Sequence, residues 1–327
     1  MSDDRGTTWP VQTIRGTPEP DLLADLLALA AAAGEADGNP PFSEQTVVDL
    51  RSADTDPDSL LVFATYAADD TSDPAVANAL AGAAVLALPR TGGPGVLELV
   101  VHPSYRSQGV GTALSTAVRD RLRDSGLPAP QAWSHGNHEA AVELAGRFGY
   151  RPVRELLRLR LTRAALEESL PEAVFAEGIT VRPFEPGRDE EAWLAANAAA
   201  FVHHPEQGAM TRGDLEARMA EDWFDPAGFL LAVRDSDGAI LGFHWTKVHP
   251  RTGSHPAIGE VYVVGVVPEA QGMGLGKALT IAGIEHLHRA GLQAIMLYVD
   301  AENTPATALY RRLGFVRWDA DVMYAAG

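Results

Sequence analysis

Two stretches of the sequence have the same form, and this repetition constrains the fold more than any other feature. In each, an apolar run rich in β-branched residues ends at a proline and continues into a glycine-rich turn; the stretches are residues 97–114 and 260–279. Pairs separated by 165 residues are Pro103 and Pro268, Gly109 and Gly274, Gly111 and Gly276, Gly126 and Gly291, and Gly149 and Gly314. An ungapped internal repeat of this length predicts two similar domains in succession.

The glycine-rich turns are typical of phosphate-binding loops. Each follows a predicted buried strand and leads into a predicted helix. Glycine lets the backbone approach a ligand closely, and successive N–H groups then point into one concavity at the positive end of the helix dipole. A tight strand-to-helix turn without a ligand is the alternative interpretation of one such stretch. Because the stretch occurs twice, we predict a ligand that carries phosphate.

Two motifs resemble those of the Gcn5-related N-acetyltransferase (GNAT) family. Residues 106–111 read Arg-Ser-Gln-Gly-Val-Gly and residues 271–276 read Gln-Gly-Met-Gly-Leu-Gly, and both match its pyrophosphate motif Arg/Gln-x-x-Gly-x-Gly/Ala. Asn303, followed by Ala306, Tyr310 and residues 313–315, resembles its later acetyl-CoA motif. The resemblance covers nearly the whole chain. It implies two tandem α/β domains, residues 1–165 and 178–327, each a central mixed β-sheet flanked by helices.

The resemblance also implies acetyl-CoA as co-substrate, held in both halves. In the first half the implied acetyl-CoA residues are Leu99, Val100, Val101, Ser107, Gln108, Gly109, Val110, Gly111 and Thr112. In the second half they are Val264, Gly265, Val266, Gln271, Gly272, Met273, Gly274, Leu275, Gly276, Lys277, Asn303, Thr304, Pro305, Ala306, Thr307 and Ala308. The second turn departs from the family pattern, because it carries no arginine to add charge near the phosphates.

Three segments of the second half resemble a narrower group, the two-domain family members that acetylate a thiol-bearing pseudodisaccharide. The segments are residues 204–208, 242–249 and 259–266. This resemblance implies transfer of acetyl to the cysteinyl amine of cysteinyl-glucosaminyl-inositol. The implied substrate-binding residues are Glu44, Glu206, Lys247, Glu260 and Tyr298. Two of these residues have an alternative interpretation without a substrate. Glu44 could stabilise the dipole at the start of a predicted helix, and Lys247 could be a solvated residue at a strand edge.

The repeat also indicates which half carries out the chemistry. At the 165-residue offset Glu260 corresponds to Gly95, and Tyr310 corresponds to Ala145. Amine acetylation needs an acceptor for the amine proton and a donor to the departing thiolate, and a carboxylate and a phenol can fill these roles. The resemblance implies Glu260 as base and Tyr310 as acid, with a first half that binds acetyl-CoA without catalysis. A surface carboxylate and a core aromatic are the alternatives.

Composition argues against several other classes of function. The 26 Lys and Arg residues against 44 Asp and Glu give a net charge of −18, which disfavours nucleic acid or an anionic membrane as partner. No apolar run reaches membrane length, residues 1–20 do not read as a signal peptide, and the absence of cysteine excludes disulfides and thiolate sites. Adjacent His203 and His204 rarely converge on one ion, so we expect no metal. We expect a cytoplasmic monomer with a small-molecule partner.

Two other functions remain open on the sequence alone. Another acceptor amine, such as an aminoglycoside or a protein N-terminus, would use the same chemistry. An acyl-CoA-binding sensor without turnover would need neither Glu260 nor Tyr310. That function is disfavoured for the second half, but it suits the first.

Overall fold

The computed structural model of the chain describes residues 9–52, 58–67, 79–89, 93–202, 205–251, 253 and 255–327. It divides the chain into two compact units. Unit 1 comprises Met1–Leu156 together with Ala320–Gly327, and unit 2 comprises Leu157–Asp319.

Unit 1 is a mixed sheet with helices on both faces. Its elements are β1 (Gln12–Arg15), α1 (Pro20–Asp37), α2 (Glu44–Arg51), β2 (Leu60–Tyr66), β3 (Leu80–Ala87), β4 (Val96–Val101), α3 (Val110–Ser125), β5 (Gln131–Ser134), α4 (Glu139–Arg147) and the first part of β6 (Tyr150–Thr162). The strand order is β1-β2-β3-β4-β5, followed by the C-terminal strand of the chain, β12 (Val316–Ala326). Only the pair β4–β5 is parallel among the pairs with described register in this unit.

The apolar core of unit 1 explains why helices pack on both faces of its sheet. β2 and β3 are apolar on both faces, so helices must cover both. Leu26 and Leu29 of α1 and Leu50 of α2 pack on one face. On the other face α3 presents a stripe at every fourth residue, formed by Val110, Leu114, Val118 and Leu122.

Unit 2 repeats this plan. Its elements are the last part of β6, α5 (Arg163–Ser169), β7 (Ile179–Pro183), α6 (Glu190–Ala200), α7 (Pro205–Gly208), α8 (Arg212–Met219), β8 (Phe229–Arg234), β9 (Ile240–His249), β10 (Ile258–Val266), α9 (Leu275–Arg289), β11 (Ala294–Asp300), α10 (Thr304–Arg312) and the first part of β12. The strand order is β6-β11-β10-β9-β8-β7, with β10 and β11 parallel and β7 to β10 antiparallel.

Aromatic rings fill the core of unit 2. Phe229 and Trp245 stack at 4.4 Å between centroids, and Trp193 of α6 meets both rings edge-on. Trp193, Trp245 and Phe229 are fully buried. Such edge-to-face and stacked pairs add to the apolar area they bury, and they fix α6 on this face of β8 and β9.

The limits of the units differ from the predicted limits of 1–165 and 178–327. β6 passes from unit 1 to unit 2 at Leu157, and its later residues lie next to β11. The end of β12 belongs to unit 1, where Val322 lies opposite Ser134 and Tyr324 opposite Ala132 on β5. Each sheet is therefore completed by a strand segment that an even division of the sequence gives to the other half.

The predicted fold class, two α/β units with mixed sheets and flanking helices, is confirmed. The apolar runs at residues 60–66 and 96–101, which the sequence pattern predicts as strands, are β2 and β4 with these bounds. β1, α5, α7 and β12 were not predicted. The loop predicted at residues 69–73 lies outside the described residues.

Candidate functional site

The two glycine-rich turns have the same backbone form. Gly109 has φ 88° and α3 begins at the next residue, while Gly274 has φ 79° and α9 begins at the next residue. Two residues earlier, Ser107 has φ 60° and Gly272 has φ 83°. This left-handed region favours glycine. Because the first N–H groups of a helix have no partner within it, each turn presents backbone donors that suit a phosphate.

Beside each turn the sheet opens between its two parallel strands. The pairing of β4 with β5 covers residues 96–98, and the pairing of β10 with β11 covers residues 259–261. Among the described residues no further parallel partner follows, although β4 continues to Val101 and β10 to Val266. The predicted acetyl-CoA residues 99–101 and 264–266 therefore lie where the parallel pairing has ended, so that backbone groups on that side of β4 and β10 can bind a ligand.

A cavity of about 760 Å³ occupies the cleft of unit 1. Ser107 of the turn and three arginines, Arg106, Arg119 and Arg147, are among its lining residues. Arg106 forms a bidentate pair with Asp37 at 2.8 and 2.7 Å. The volume is typical of a small-molecule site, and the guanidinium groups suit a ligand with several phosphates.

In unit 2 the predicted proton acceptor lies on one face of the sheet with other polar groups. Glu260 on β10 is 6% exposed and lies directly opposite Lys247 on β9. Its Oε2 lies 2.6 Å from Nε2 of His249, two residues further along β9. Tyr298 lies two residues beyond Met296, the partner of Glu260 on β11. Because side chains alternate along a strand, Glu260, Lys247 and Tyr298 share this face.

Aromatic rings orient the ammonium group of Lys247. Its Nζ lies 4.3 Å from the ring centroid of Trp223 and 5.2 Å from that of Tyr262. The hydroxyl of Tyr262 accepts a hydrogen bond from Nε of Arg218 at 2.9 Å. A cation over aromatic faces is stabilised by the ring quadrupoles, so these neighbours hold Lys247 in place on this face.

His244, which also lies on β9, has a structural role and does not belong to this group of polar residues. It is fully buried on the opposite face of β9, and Nδ1 donates to the carbonyl of Leu279 at 2.7 Å. Burial lowers the pKa of His244 to about 4. The ring is therefore neutral at physiological pH and packs against α9.

A β-bulge distinguishes β10 from its counterpart β4. The pairing of β9 with β10 shifts between Val261 and Val263, so Tyr262 is an additional residue on β10. The pairing of β3 with β4 has no such shift. The bulge turns the ring of Tyr262 toward Trp245, at 5.3 Å between centroids.

The bulge changes which residue of unit 1 corresponds to Glu260. Val96 pairs with Gln131 on β5, and Gln131 lies 165 residues before Met296, the partner of Glu260. The counterpart of Glu260 is therefore Val96 and not Gly95, because the ungapped offset miscounts by one residue before the bulge. Unit 1 still has an apolar residue at this place.

Tyr310, the predicted proton donor, is buried on α10. Its ring packs edge-on against Phe315 at 5.7 Å, and 9% of the residue is exposed. Burial raises the pKa of Tyr310 to about 12, so the phenol is protonated at neutral pH. Asn303 caps the same helix, since its side-chain oxygen accepts the N–H of Ala306 at 3.2 Å. The predicted acetyl-CoA residues 304–308 form the first turns of α10.

Unit 1 contains a buried charged cluster that the sequence did not predict. Nδ1 of His135 lies 2.8 Å from Asp321 and Nε2 lies 2.8 Å from Glu98. Burial lowers the pKa of His135, but the hydrogen bonds and charges of Asp321 and Glu98 outweigh it and raise the pKa to about 10. The imidazole therefore carries a proton on both nitrogens at neutral pH. Both oxygens of Glu98 also accept the N–H of Ser43 at 3.0 Å.

This cluster fixes the start of α2, which carries the predicted substrate residue Glu44. The Ser43 side chain caps α2 by accepting the N–H of Thr46. Glu44 is the first residue of the helix. A signal for the cluster was available, since Glu98 is a lone acid within an apolar strand.

The remaining predicted site residues lie partly outside the described residues. The backbone of Glu206 belongs to α7, but its side chain is not described, and His203 and His204 are outside the described ranges. Within the described part of the chain, no group of three or more His, Asp or Glu is arranged to hold a metal ion. None of the described helices is long and apolar enough to span a bilayer.

Comparison with known sequences gives consistent matches along the chain. The model of the acetyltransferase (GNAT) family matches residues 28–150 and 192–315. A mycothiol acetyltransferase of Paenarthrobacter aurescens (strain TC1) is 62% identical over 324 residues, 99% of this chain and 98% of the relative. A mycothiol acetyltransferase of Pseudarthrobacter chlorophenolicus is 63% identical over 316 residues, 97% of this chain and 96% of the relative.

Solved structures match the fold over both units. A GCN5-related N-acetyltransferase from Sphaerobacter thermophilus superposes with a TM-score of 0.65 at 27% identity, covering 97% of this chain and 96% of that one. A tandem GNAT protein from the clavulanic acid biosynthesis pathway superposes with a TM-score of 0.71 at 20% identity, covering 97% and 99%. The second likeness shows the fold alone.

Proposed function

Because the chain belongs to the acetyltransferase (GNAT) family, we propose that it transfers acetyl from acetyl-CoA to the cysteinyl amine of cysteinyl-glucosaminyl-inositol, giving mycothiol. The observation that carries this proposal is 62% identity, over 99% of the chain, to a relative named mycothiol acetyltransferase. The chain is an acetyltransferase, and the same relatives do not favour an aminoglycoside acceptor or a sensor without turnover.

In this proposal the chemistry takes place in unit 2. Backbone N–H groups of residues 271–277 and the strand edge at residues 264–266 hold acetyl-CoA, with the start of α10 beside it. As the amine nitrogen bonds to the acetyl carbon, Glu260 accepts the amine proton directly or through water, and the carbon–sulfur bond breaks. Tyr310 donates its proton to the departing thiolate. After the products leave, Glu260 releases its proton to solvent and Tyr310 takes one up, which restores the enzyme.

The acceptor is held by polar groups that match its hydroxyls and its amine. In unit 2 the carboxylate of Glu206 accepts hydrogen bonds from sugar hydroxyls, while Lys247 and Tyr298 donate. The orientation of Lys247 by Trp223 supports this role, because a fixed donor loses little freedom on binding.

Unit 1 has a different role in this proposal, as a second acetyl-CoA site without turnover. Its turn, cleft and arginine-lined cavity suit the ligand, while Val96 and Ala145 cannot accept or donate a proton. We place the enzyme in the cytoplasm as a monomer that contacts neither nucleic acid, membrane nor metal.

A stoichiometry measurement tests this division of labour. Calorimetry on the full-length chain should give two acetyl-CoA per chain. Gly109→Val and Gly274→Val form a matched pair, because each forces a β-branched residue into positive φ. Each should reduce the stoichiometry to one, and only Gly274→Val should abolish acetyl transfer. Loss of transfer in Gly109→Val with the fold intact would contradict the proposal.

The full-length chain is needed for this experiment. A fragment ending near residue 165 lacks Ala320–Gly327, whose residues pair with β5 and supply Asp321 to His135. Such a fragment leaves a sheet edge and a buried histidine uncovered, so a failure to bind would report misfolding instead of function.

An acceptor panel tests the substrate. Cysteinyl-glucosaminyl-inositol should be the preferred amine. Glucosaminyl-inositol should react at least about a hundredfold more slowly, because its amine lies too far from the thioester. A polyamine aminoglycoside with a higher kcat/KM than the cysteinyl compound would overturn the assignment.

A further inference from the structure

Glu260, the proposed general base, is in contact with the imidazole of His249. Oε2 of Glu260 lies 2.6 Å from Nε2 of His249. The Glu260 side chain is 8% exposed, whereas that of His249 is 35% exposed. A carboxylate removed from water is costly in its ionised form unless hydrogen-bond donors surround it. The base must be ionised to accept a proton, so a donor at Oε2 favours the competent state.

The position of His249 follows from the hairpin. Glu260 lies directly opposite Lys247 on β9, and His249 is two residues further on and therefore on the same face. Nε2 of His249 reaches one carboxylate oxygen, Oε2, which leaves Oε1 as the acceptor for the amine proton. The contact thus fixes the side-chain torsion of Glu260.

The duplication provides an independent observation. In unit 1 the pair Ala87 and Val96 corresponds to Lys247 and Glu260. The residue two positions beyond Ala87 is Pro89. Unit 1, which lacks the carboxylate of Glu260, therefore also lacks the imidazole of His249. This is expected if the two side chains act together.

We propose that His249 is a positioning residue for the general base: its Nε2–H donates to Oε2 of Glu260 and directs Oε1 toward the acceptor amine. This inference rests on the proposed function and extends it. Lys247 on β9 and both Tyr298 and Asp300 on β11 are titratable groups that share this face by strand alternation, and they do not change in the variants below.

Three variants of His249 test the proposal. His249→Leu and His249→Asn should lower kcat about ten- to a hundredfold, the effect of losing one hydrogen bond to a charged group. His249→Gln should recover much of the rate, because its amide nitrogen lies near the position of Nε2. KM for acetyl-CoA should not change. In the Leu variant the affinity for acetyl-CoA should also equal that of the parent, because only the orientation of Glu260 changes.

His286→Leu is the matched control. His286 also pairs with a carboxylate in unit 2, Asp225 at 3.2 Å, but away from Glu260. Its rate should equal that of the parent. A merely structural role for His249 would lower the thermal stability, and His249→Gln would then be as slow as His249→Leu; that outcome would overturn the proposal.

A double-mutant cycle gives the sharpest test. If His249 acts through Glu260, adding His249→Leu to Glu260→Gln should cause no further loss of rate. An additional loss equal to that in the parent background would refute the proposal. The cycle can be measured with whichever amine of the acceptor panel is acetylated, so a failure of the mycothiol assignment is distinguishable from a failure of this inference.

Discussion

Glu260→Gln should lower acetyl transfer about a hundred- to ten-thousandfold, the usual range for losing a positioned acid or base. The amide has nearly the shape of the carboxylate and can still accept a hydrogen bond from His249, but it cannot take a proton from the amine. The cysteinyl amine has a pKa near that of an α-amino group, about 8, so part of it is already neutral at pH 7.5. We therefore expect the lower part of the range.

The measurement is the steady-state rate with cysteinyl-glucosaminyl-inositol, together with the affinity for acetyl-CoA. Glu216→Gln is the control, since Glu216 is exposed on α8 and paired with Arg212. Its rate should equal that of the parent. Retention of the full rate by Glu260→Gln would remove Glu260 from the mechanism.

Tyr310→Phe should lower the rate about a hundredfold, at the lower end of the range for a general acid. The phenol, with its pKa raised to about 12 by burial, holds its proton throughout the working pH range. It is also a weaker acid for the same reason, which limits its contribution. The loss should be constant from neutral pH to mildly alkaline pH, and the affinity for acetyl-CoA should not change.

Tyr66→Phe is the control for this variant. Burial and hydrogen bonding to Asp25 likewise raise the pKa of Tyr66 to about 12, but it lies on β2 in unit 1. Its removal should leave the rate unchanged. If Tyr310→Phe matched the parent rate, water or another group would have to protonate the thiolate.

Much of the fold could be predicted from the sequence because its signals are local. β2 is a largely apolar run and β4 is apolar apart from Glu98, Ser43 precedes a helix, and the glycine-rich turns mark the starts of α3 and α9. β12 was not recognised, because Arg317 and Asp319 interrupt its apolar pattern. The partners that satisfy this strand lie far away in sequence; Asp321 meets His135 across 186 residues.

The site was harder to predict where it depends on register. Glu260 and Tyr310 could be selected by motif and chemistry, but the repeat alone aligned Glu260 with Gly95. The bulge inserts one residue into β10, and the constant 165-residue offset between the two halves does not show this insertion. Only the strand pairing therefore identifies Val96 as the counterpart of Glu260. The contact of His249 with Glu260 likewise depends on which residues the hairpin places opposite each other.

The most direct test of the account is the position of the acetyl group in the product. The enzyme would be incubated with acetyl-CoA and cysteinyl-glucosaminyl-inositol, the thiol would be blocked after the reaction, and the product would be fragmented by mass spectrometry. We predict a single acetyl group on the cysteine nitrogen, and a thiol that was free at the end of the reaction and therefore carries the blocking group. Acetyl on sulfur or on a sugar hydroxyl, or no acetylated product, would contradict the proposed reaction.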